Sequence, residues 1–413
     1  VMSHTMMPVD VPDAELVANY LPPYKPHTIL SPEAPRNINP VLFPWRRANS
    51  EGIICDGYME MRYKLQKALD DSREVIKTTN RSFAETFGRD HGDMLWHYKT
   101  EDADLILTGM GSSLFAAYAA WVRLAQAGLP AQWVDASELN SYAANMINSS
   151  TILWMISNSG KIIEMTRLLN RREELGSPFI LANTNDRDSP LGRAADLIVP
   201  IHTGNDITLA TRSYMGTLAV SQLMAYQLGG RPVDAAVEDL RYTADGLETY
   251  LNDLEWHIQE LDQKLGEVKK LAILGRGASY ATALEGALCF MEGPKLYAQG
   301  LATGQFWHGA VEMASPEFTL LMMEGEEQTS KEDEFLAAKA ARLGMKVFWF
   351  ANESSALLPT VVLPENRGIG RTIAEIVPIQ LISINVGKQT GYRPGDFIHL
   401  TRTVNTKIEE FPG

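Results

Sequence analysis

Two short loops rich in glycine and serine follow apolar segments in the first half of the sequence. Gly109-Met-Gly-Ser-Ser113 comes after the segment 104–108, and Ser157-Asn-Ser-Gly160 comes after 151–156. Each loop places hydroxyl groups and backbone amides where a helix begins, and the free amides and dipole of a helix start favour an oxyanion. Serine also caps helices without any ligand, but two such loops at neighbouring strand ends predict one shared anion site.

A parallel sheet is needed to bring these loops together, and the sequence predicts two such sheets. Three segments of the first half recur in the same order in the second half, which indicates an internal duplication. Each copy alternates short apolar strands with helical stretches, the pattern of a parallel, doubly wound α/β domain. In such sheets the ligand lies at the carboxyl ends of the strands. The matching pairs are 104–113 with 270–279, 175–183 with 343–352, and 195–200 with 359–364.

The parts before and between the copies are predicted from proline content and helical periodicity. Seven prolines within 22–44 exclude a continuous helix or a central strand, so we expect residues 1–55 to form an irregular arm. Apolar residues three or four apart predict one helix over 56–88 and a second that ends near Gly266. The predicted parts are 1–103 (arm and helix), 104–232 (first α/β domain, with the anion loops), 233–268 (connecting helix) and 269–413 (second α/β domain and tail).

Composition limits the partners of the chain. The net charge of −14 and pI near 5.1 argue against a nucleic-acid partner, which requires a basic surface, but backbone amides can still hold one small anion. Cys55 and Cys289 are the two cysteines, too few for a disulfide framework or a four-cysteine zinc site. We expect no metal and no cofactor. The first ten residues do not resemble a signal peptide, so we also expect a cytoplasmic protein without a membrane partner.

A dinucleotide site is an alternative interpretation of the first loop. Gly109-x-Gly111 follows an apolar strand, and Asp135 ends the next one, as a ribose-binding carboxylate would. However, the third glycine position of that motif holds Leu114 here and Tyr280 in the second copy, and Gly-x-Gly alone is not specific. A nicotinamide-dependent oxidoreductase is therefore kept only as an alternative.

The second copy contains the stretch that identifies a family. Leu274–Glu292, with its Ala-Leu-Glu-Gly-Ala-Leu motif, and Gly304–Gly309 resemble the isomerase half of glucosamine-6-phosphate synthase and other double-SIS (sugar isomerase) proteins, including phosphosugar deglycases. The resemblance covers about 104–405. It implies two tandem flavodoxin- or Rossmann-like SIS domains. It also implies phosphate contacts from Gly111, Ser112, Ser113, Ser157, Asn158 and Ser159.

The same resemblance implies the catalytic residues. Glu292 corresponds to the base that moves a proton between C1 and C2 of the sugar. His308 corresponds to the residue that assists ring opening and reaches the site from a partner subunit, so the resemblance implies a homodimer with a shared site. Taken alone, Glu292 is typical of a surface helix and His308 of a loop, and we interpret His202 and His257 as structural. Aldose–ketose interconversion does require a positioned carboxylate and an acid, and no metal.

Three positions depart from the synthase. Ile162 replaces a threonine of its phosphate loop, and Cys289 and Arg402 replace its two active-site lysines. Arg402 cannot form a Schiff base because its guanidinium stays protonated, although it could hold a phosphate or a substrate carboxylate. These changes favour a simple sugar-phosphate isomerase or a deglycase, and a non-catalytic phosphosugar sensor is the alternative.

The first hundred residues show a separate resemblance. Residues of about 8–104 resemble a fragment of the α chain of 2-oxoacid:ferredoxin oxidoreductases. The iron–sulfur cysteines and the thiamine-binding motif of those enzymes do not occur in this stretch. The sequence therefore assigns no function to this segment.

Overall fold

The chain divides into two units, residues 1–97 and 98–413, which we describe separately. The structure is a computed structural model, and it describes residues 46–48, 54–88, 105–204, 206, 208–393 and 395–399. Most of the predicted arm and Arg402 lie outside the described residues.

The first unit contains a short strand pair and a long helix. Strands β1 (Arg46–Ala48) and β2 (Ile54–Asp56) pair antiparallel, and helix α1 (Gly57–Phe87) follows directly. The expected irregular arm is therefore wrong for these two segments. They begin after Pro44, the last of the seven prolines, so the pairing amides that proline would remove are present. The helix predicted here is confirmed.

Two parallel sheets form the framework of the second unit. Within the described part, each sheet has five strands in the spatial order second, first, third, fourth, fifth. This is the flavodoxin-like order, and its occurrence in both copies confirms the predicted duplication and fold class. The first sheet contains β3 (Leu105–Gly109), β4 (Ala131–Asp135), β5 (Ile152–Ile156), β6 (Phe179–Asn183) and β7 (Leu197–Val199). The second contains β8 (Lys270–Gly275), β9 (Ala298–Ala302), β10 (Phe318–Met323), β11 (Lys346–Ala351) and β12 (Thr360–Val362).

Helices connect the strands and cover the sheets. The first copy has α2 (Gly111–Gln126), α3 (Ala136–Ser141), α4 (Ile163–Asn170), α5 (Pro190–Ala194) and α6 (Arg212–Leu228). The connection has α7 (Val233–Asn252) and α8 (Leu254–Leu265). The second copy has α9 (Ser279–Glu292), α10 (Thr303–Phe306), α11 (Glu327–Arg342) and α12 (Arg371–Thr390).

The connecting segment differs from the single helix that periodicity predicts. In the structure this segment forms two helices, α7 and α8, which are separated at Asp253. Asn252 and Asp253 are poor helix formers because their short polar side chains compete for backbone hydrogen bonds. The segment does end at the predicted glycine, Gly266, whose φ of 59° lies in the left-handed region.

Helices from both copies share one hydrophobic core. Ala116 and Ala119 of α2 belong to the same buried cluster as Ala283 and Ala287 of α9 and Leu218 of α6. Small side chains allow the two helices to approach closely. The position of α9 against α2 therefore fixes the second copy relative to the loops of the first.

Helix α12 and the turn before it are apolar. By length and composition, Gly368–Thr390 is the one span among the described residues that could cross a membrane, and 83% of its apolar window is buried inside the protein. A core helix passes the same test, and α12 contributes Ile376, Ile379 and Ile382 to the shared core. We therefore interpret it as a core helix.

A polar cluster joins the two copies at the other end of α2. Arg123 Nη1 lies 2.5 Å from Glu326 Oε1, before α11, and Arg123 Nε donates to Gln222 Oε1 of α6. The side chains of Arg123 and Glu326 are only 8% and 25% exposed. Because both charges are largely removed from water, loss of either one leaves the other poorly compensated.

We expect Arg123→Met to lower the free energy of unfolding of the second unit by about 3 kcal/mol, because Glu326 and Gln222 lose their partner. Urea denaturation followed by tryptophan fluorescence measures this change. Arg241→Met is the matched control, since its pair with Glu238 is 70% and 57% exposed and should contribute less than about 1 kcal/mol. Equal losses in the two variants would contradict the assignment of Arg123 as an interdomain tie.

Candidate functional site

The site lies where the strand order of the first sheet reverses. Strands β3 and β5 are neighbours there and run parallel, so their carboxyl ends, Gly109 and Ile156, lie at the same edge. The two predicted loops leave the sheet from these two ends. This is the edge at which open α/β sheets bind ligands.

The first loop depends on glycine at two positions. A Cβ on Gly109 would lie 3.1 Å from the Ile156 carbonyl oxygen and 3.0 Å from the Leu114 nitrogen, so a side chain here would require the neighbouring backbone to shift. Gly111 begins α2 with a φ of 50°, in the left-handed region. No side chain among the described residues caps this helix at Met110. The first amides of a 16-residue helix therefore remain available to a ligand.

The second loop is a tight turn. The Gly160 amide donates to the carbonyl oxygen of Ser157 at 3.2 Å and to its hydroxyl at 3.1 Å. Helix α4 follows, with Ile162 at its N-cap and no capping side chain from the described part of the chain. Ile162, which replaces the threonine of the synthase, has no side-chain group that can cap this helix. The start of α4 is therefore a second uncapped helix start, beside that of α2.

Both loops line one cavity of about 1170 Å³. All six residues predicted to contact phosphate lie in its wall: Gly111, Ser112, Ser113, Ser157, Asn158 and Ser159. Ser157 is buried, whereas Ser113 and Ser159 are half-buried. The structure therefore brings together every predicted binding residue that it describes.

Hydrogen bonds fix several of these side chains. The Ser112 hydroxyl donates to Glu285 Oε1 of α9 at 3.0 Å, so its contribution to a ligand falls to its backbone amide. Asn158 Oδ1 accepts from Asn185 Nδ2 at 2.6 Å, and the Asn158 NH₂ is the donor that this side chain can offer to a ligand. Contacts within the protein thus hold these side chains of the cavity wall in place.

Residues beyond the third strand also line the cavity, and sequence reasoning missed them. They include Asn185 and Asp186 after β6, and Tyr214 on α6. Asp186 forms an ion pair with Lys161 at 2.7 Å, and the hydrogen bond from Lys161 lowers the pKa of Asp186. The sequence does contain a signal for Asn185 and Asp186, because the loop after β6 also follows a parallel strand. His202, interpreted as structural, lies in this wall as well.

Asp135 does not act as the alternative dinucleotide interpretation requires. Its Oδ1 accepts from the Ser137 amide at 2.7 Å and from the Glu138 amide at 3.2 Å, and so caps α3. A carboxylate committed to two backbone amides is a poor ribose ligand. The structure therefore does not favour the nicotinamide interpretation.

Glu292 lies at the end of α9, on the helix face that meets the first loop. On this face Glu285 accepts from Ser112, and Leu288 Cδ2 lies 3.9 Å from the position of a Cβ on Gly111. Glu292 follows four residues later, so it continues the same face by one turn. Burial raises the pKa of Glu292 above its ordinary value, and the charge of Lys295 partly opposes this.

The described residues that line the cavity all belong to the first copy, and Glu292 and His308 are not among them. His308 follows α10, and its side chain is exposed. A single chain therefore brings the two loops and the Glu292 helix together but does not place His308 in the cavity wall.

The equivalent loop of the second copy, Glu324–Gln328, is filled by ion pairs. Glu324 pairs with Arg371, and Arg276 Nε, in the second Gly-x-Gly turn, lies 3.2 Å from Asp333 Oδ1. Burial raises the pKa of Asp333 to about 6, which Arg276 opposes. These carboxylates and the arginines that pair with them lie in the part of the second copy that corresponds to the anion loops of the first.

The comparisons with known proteins agree with this geometry. The SIS domain model matches residues 100–228 and 264–360. The chain is similar to glutamine–fructose-6-phosphate aminotransferase of Xanthomonas campestris (26% identity, 68% of this chain, 48% of that protein) and of Xylella fastidiosa (25% identity, 80% and 57%). It thus spans about half the length of these relatives.

A separate similarity agrees with the predicted fragment. Pyruvate synthase subunit PorA of Methanothermobacter thermautotrophicus is 38% identical over 112 residues, which are 27% of this chain and 26% of that protein. Because the match covers about a quarter of each protein, it carries no activity to this chain.

Solved structures share the fold. The C-terminal domain of glucosamine-fructose-6-phosphate aminotransferase from Francisella tularensis superposes with a TM-score of 0.63 (18% identity, 72% of this chain, 87% of that one). Glucosamine-6-phosphate deaminase from Thermotoga maritima gives 0.62 (16%, 82% and 98%), and tagatose-6-phosphate ketose/aldose isomerase from Escherichia coli gives 0.61 (18%, 79% and 93%). At these identities the similarity shows the fold alone.

We expect Gly160→Ala to disrupt the second loop. The new Cβ would lie 2.1 Å from Ser189 Oγ, in addition to the strain of a φ of 62°. Gly230→Ala is the control, because its φ is 64° and no described atom lies within 4 Å of the new Cβ. Thermal unfolding should show a loss of about 1 kcal/mol for the control and about 2–4 kcal/mol for Gly160→Ala. Equal losses would show that the turn tolerates a side chain.

Proposed function

The chain belongs to the SIS domain family, and from this premise we propose that it is an enzyme acting on a sugar phosphate, which it binds in the cavity of the first copy. The observation that carries the proposal is the convergence of two uncapped helix starts, at Gly111 and Ile163, on one cavity. Amides and positive dipole ends bind a phosphate without basic side chains. This agrees with the acidic overall charge of the chain.

The reaction that fits the site is proton transfer between C1 and C2 of the open-chain sugar. Glu292 removes a proton from one carbon to give an enediol and returns it to the neighbouring carbon. Its raised pKa suits this exchange, because a base with a pKa nearer neutrality can both accept and release the proton. The 285, 288 and 292 face of α9 supports this role. Glu285 accepts from Ser112 of the first loop, and Leu288 Cδ2 lies 3.9 Å from the position of a Cβ on Gly111.

His308 serves ring opening from a partner subunit in this proposal. Its exposed position in the single chain leaves it available to a second copy. The active form is then a homodimer that completes each site with a histidine from the other subunit. Arg402, outside the described residues, remains a candidate for binding the phosphate or a substrate carboxylate.

The first test removes hydroxyl groups from the cradle. We expect the double substitution Ser113→Ala and Ser159→Ala to weaken binding of fructose 6-phosphate by about 1.5–3 kcal/mol for each hydroxyl that bonds the phosphate. Isothermal titration calorimetry measures the loss. Ser150→Ala is the control, since this exposed serine bonds Asn148 instead. Unchanged affinity in the double variant would place the phosphate elsewhere.

The second test removes the base. Glu292→Gln should slow exchange of the C2 proton with deuterated solvent by about 10²–10⁴-fold and spare binding, because the amide keeps the shape and cannot accept the proton. In the unmodified protein, kcat should fall on the acidic side at a pH above the ordinary range of a glutamate, since burial raises the pKa of Glu292. Glu317→Gln, at an exposed carboxylate, is the control. Normal exchange in Glu292→Gln would exclude this residue as the base.

A further inference from the structure

Lys295 lies three residues beyond Glu292, the last residue of α9, and its backbone is strained. Its φ of 58° lies in the left-handed region, which residues other than glycine rarely adopt. Such a conformation persists where the surroundings hold it, and functional sites contain it more often than other regions do. The contacts of the side chain show what holds it.

The Lys295 ammonium joins two parts of the second unit. Its Nζ donates to the Glu292 carbonyl oxygen at 2.5 Å and to the Asp396 carbonyl oxygen at 2.6 Å. It also lies 5.8 Å from the ring centre of Tyr392 and 6.0 Å from that of Phe397. A cation favours both environments, the carbonyl end of a helix and the faces of aromatic rings. Lys295 thus fastens the C-terminal segment, residues 391–393 and 395–399, to the end of the Glu292 helix.

The same segment reaches the wall of the cavity. Gly395 has a φ of 100°, and a Cβ there would lie 2.7 Å from Thr208 Oγ1. Thr208 lines the cavity of the first copy. The C-terminal segment therefore touches the cavity wall on one side and Lys295 on the other.

We propose that Lys295 is a positioning residue for the Glu292 reaction, which anchors the C-terminal segment between the end of α9 and the cavity wall. This inference rests on the proposed function, because it gives Lys295 a part in proton transfer by Glu292. It adds a residue outside the motifs that identified the family. Lys295 acts through the segment and through Glu292 and does not itself exchange a proton with the substrate.

The charges near Glu292 support this role. On its own helix, burial raises the pKa of Glu285 well above its ordinary range and also raises that of the Cys289 thiol, so burial favours the uncharged form of both groups. The charge of Asp206, in the first copy, also raises the pKa of Glu285. Asp396 accepts a hydrogen bond from Lys295 through its backbone carbonyl oxygen. Lys295 is the charge that lowers the pKa of Glu292 against the effect of burial. Its removal should raise that pKa further.

The experiment compares Lys295→Met, which keeps the apolar stem, with Lys295→Arg, which keeps the charge and the donors. Lys346→Met is the matched control, because Lys346 also donates to a backbone carbonyl, that of Glu267, at the amino end of β11. Two readouts are taken on the full chain. One is hydrogen–deuterium exchange of the C-terminal segment without substrate, and the other is the pH profile of kcat with the hexose 6-phosphate that the wild type turns over.

We expect Lys295→Met to speed amide exchange in the segment by about tenfold or more. We expect kcat to fall by about tenfold to a hundredfold near pH 7, with its acidic limb moved to higher pH and KM nearly unchanged. Lys295→Arg should restore both readouts, and Lys346→Met should change neither.

Unchanged exchange in Lys295→Met, or a loss of kcat that is equal at every pH, would overturn the proposal. A wild type that exchanges no C2 proton of any hexose phosphate would reject the proposed function, and with it any role of Lys295 in that reaction. The two failures are therefore distinguishable, because only the second appears before any substitution is made.

Discussion

The hydrogen bond from the Ser112 hydroxyl to Glu285 Oε1 is the contact on which the arrangement of the site depends. It joins the first turn of α2, where the first loop ends, to the middle of α9, which carries Glu292 about two turns further on. Glu285 is buried, and burial raises its pKa well above the ordinary range. Burial thus favours the neutral form of this carboxyl group, which holds the loop without adding a negative charge beside it.

This contact joins the two copies of the duplicated domain, and the two copies have different roles. Both copies place a Gly-x-Gly turn and a second loop at the same edge of the sheet, and the loops of the first copy line the cavity described above. In the second copy, Arg371 and Arg276 hold carboxylates where an anion would bind. The second copy thus serves as the support that presents α9 to the first, and Arg123 and Glu326 tie the two together.

Much of this could be predicted from the sequence, because the relevant patterns are local. Strand, glycine turn and serine lie within ten residues of each other, and parallel strands place such loops at one edge, so the cradle from Gly111 to Ser159 was predicted. The sequence did not predict the contributions of Asp186, Tyr214 and Lys295. They depend on how loops and helices distant in sequence pack together, which periodicity does not specify. The break at Asp253 was missed for a different reason, since the leucine spacing continues across it.

Tyr214 lines the cavity, but no sequence motif predicts that position. Its ring is buried, and its hydroxyl has no hydrogen-bond partner among the described residues. Nothing in the local sequence around Tyr214 indicates a place beside the phosphate loops. Only the packing of α6 against α2 puts it there, through the core that both copies share.

A crystal structure of the protein soaked with fructose 6-phosphate tests the central claim most directly. The account predicts phosphate density against the amides of 111–113 and 157–159 in the first copy, with the sugar directed toward the end of α9. Phosphate bound at Glu324–Gln328, or an empty first-copy cavity at a saturating concentration of the sugar, would contradict it.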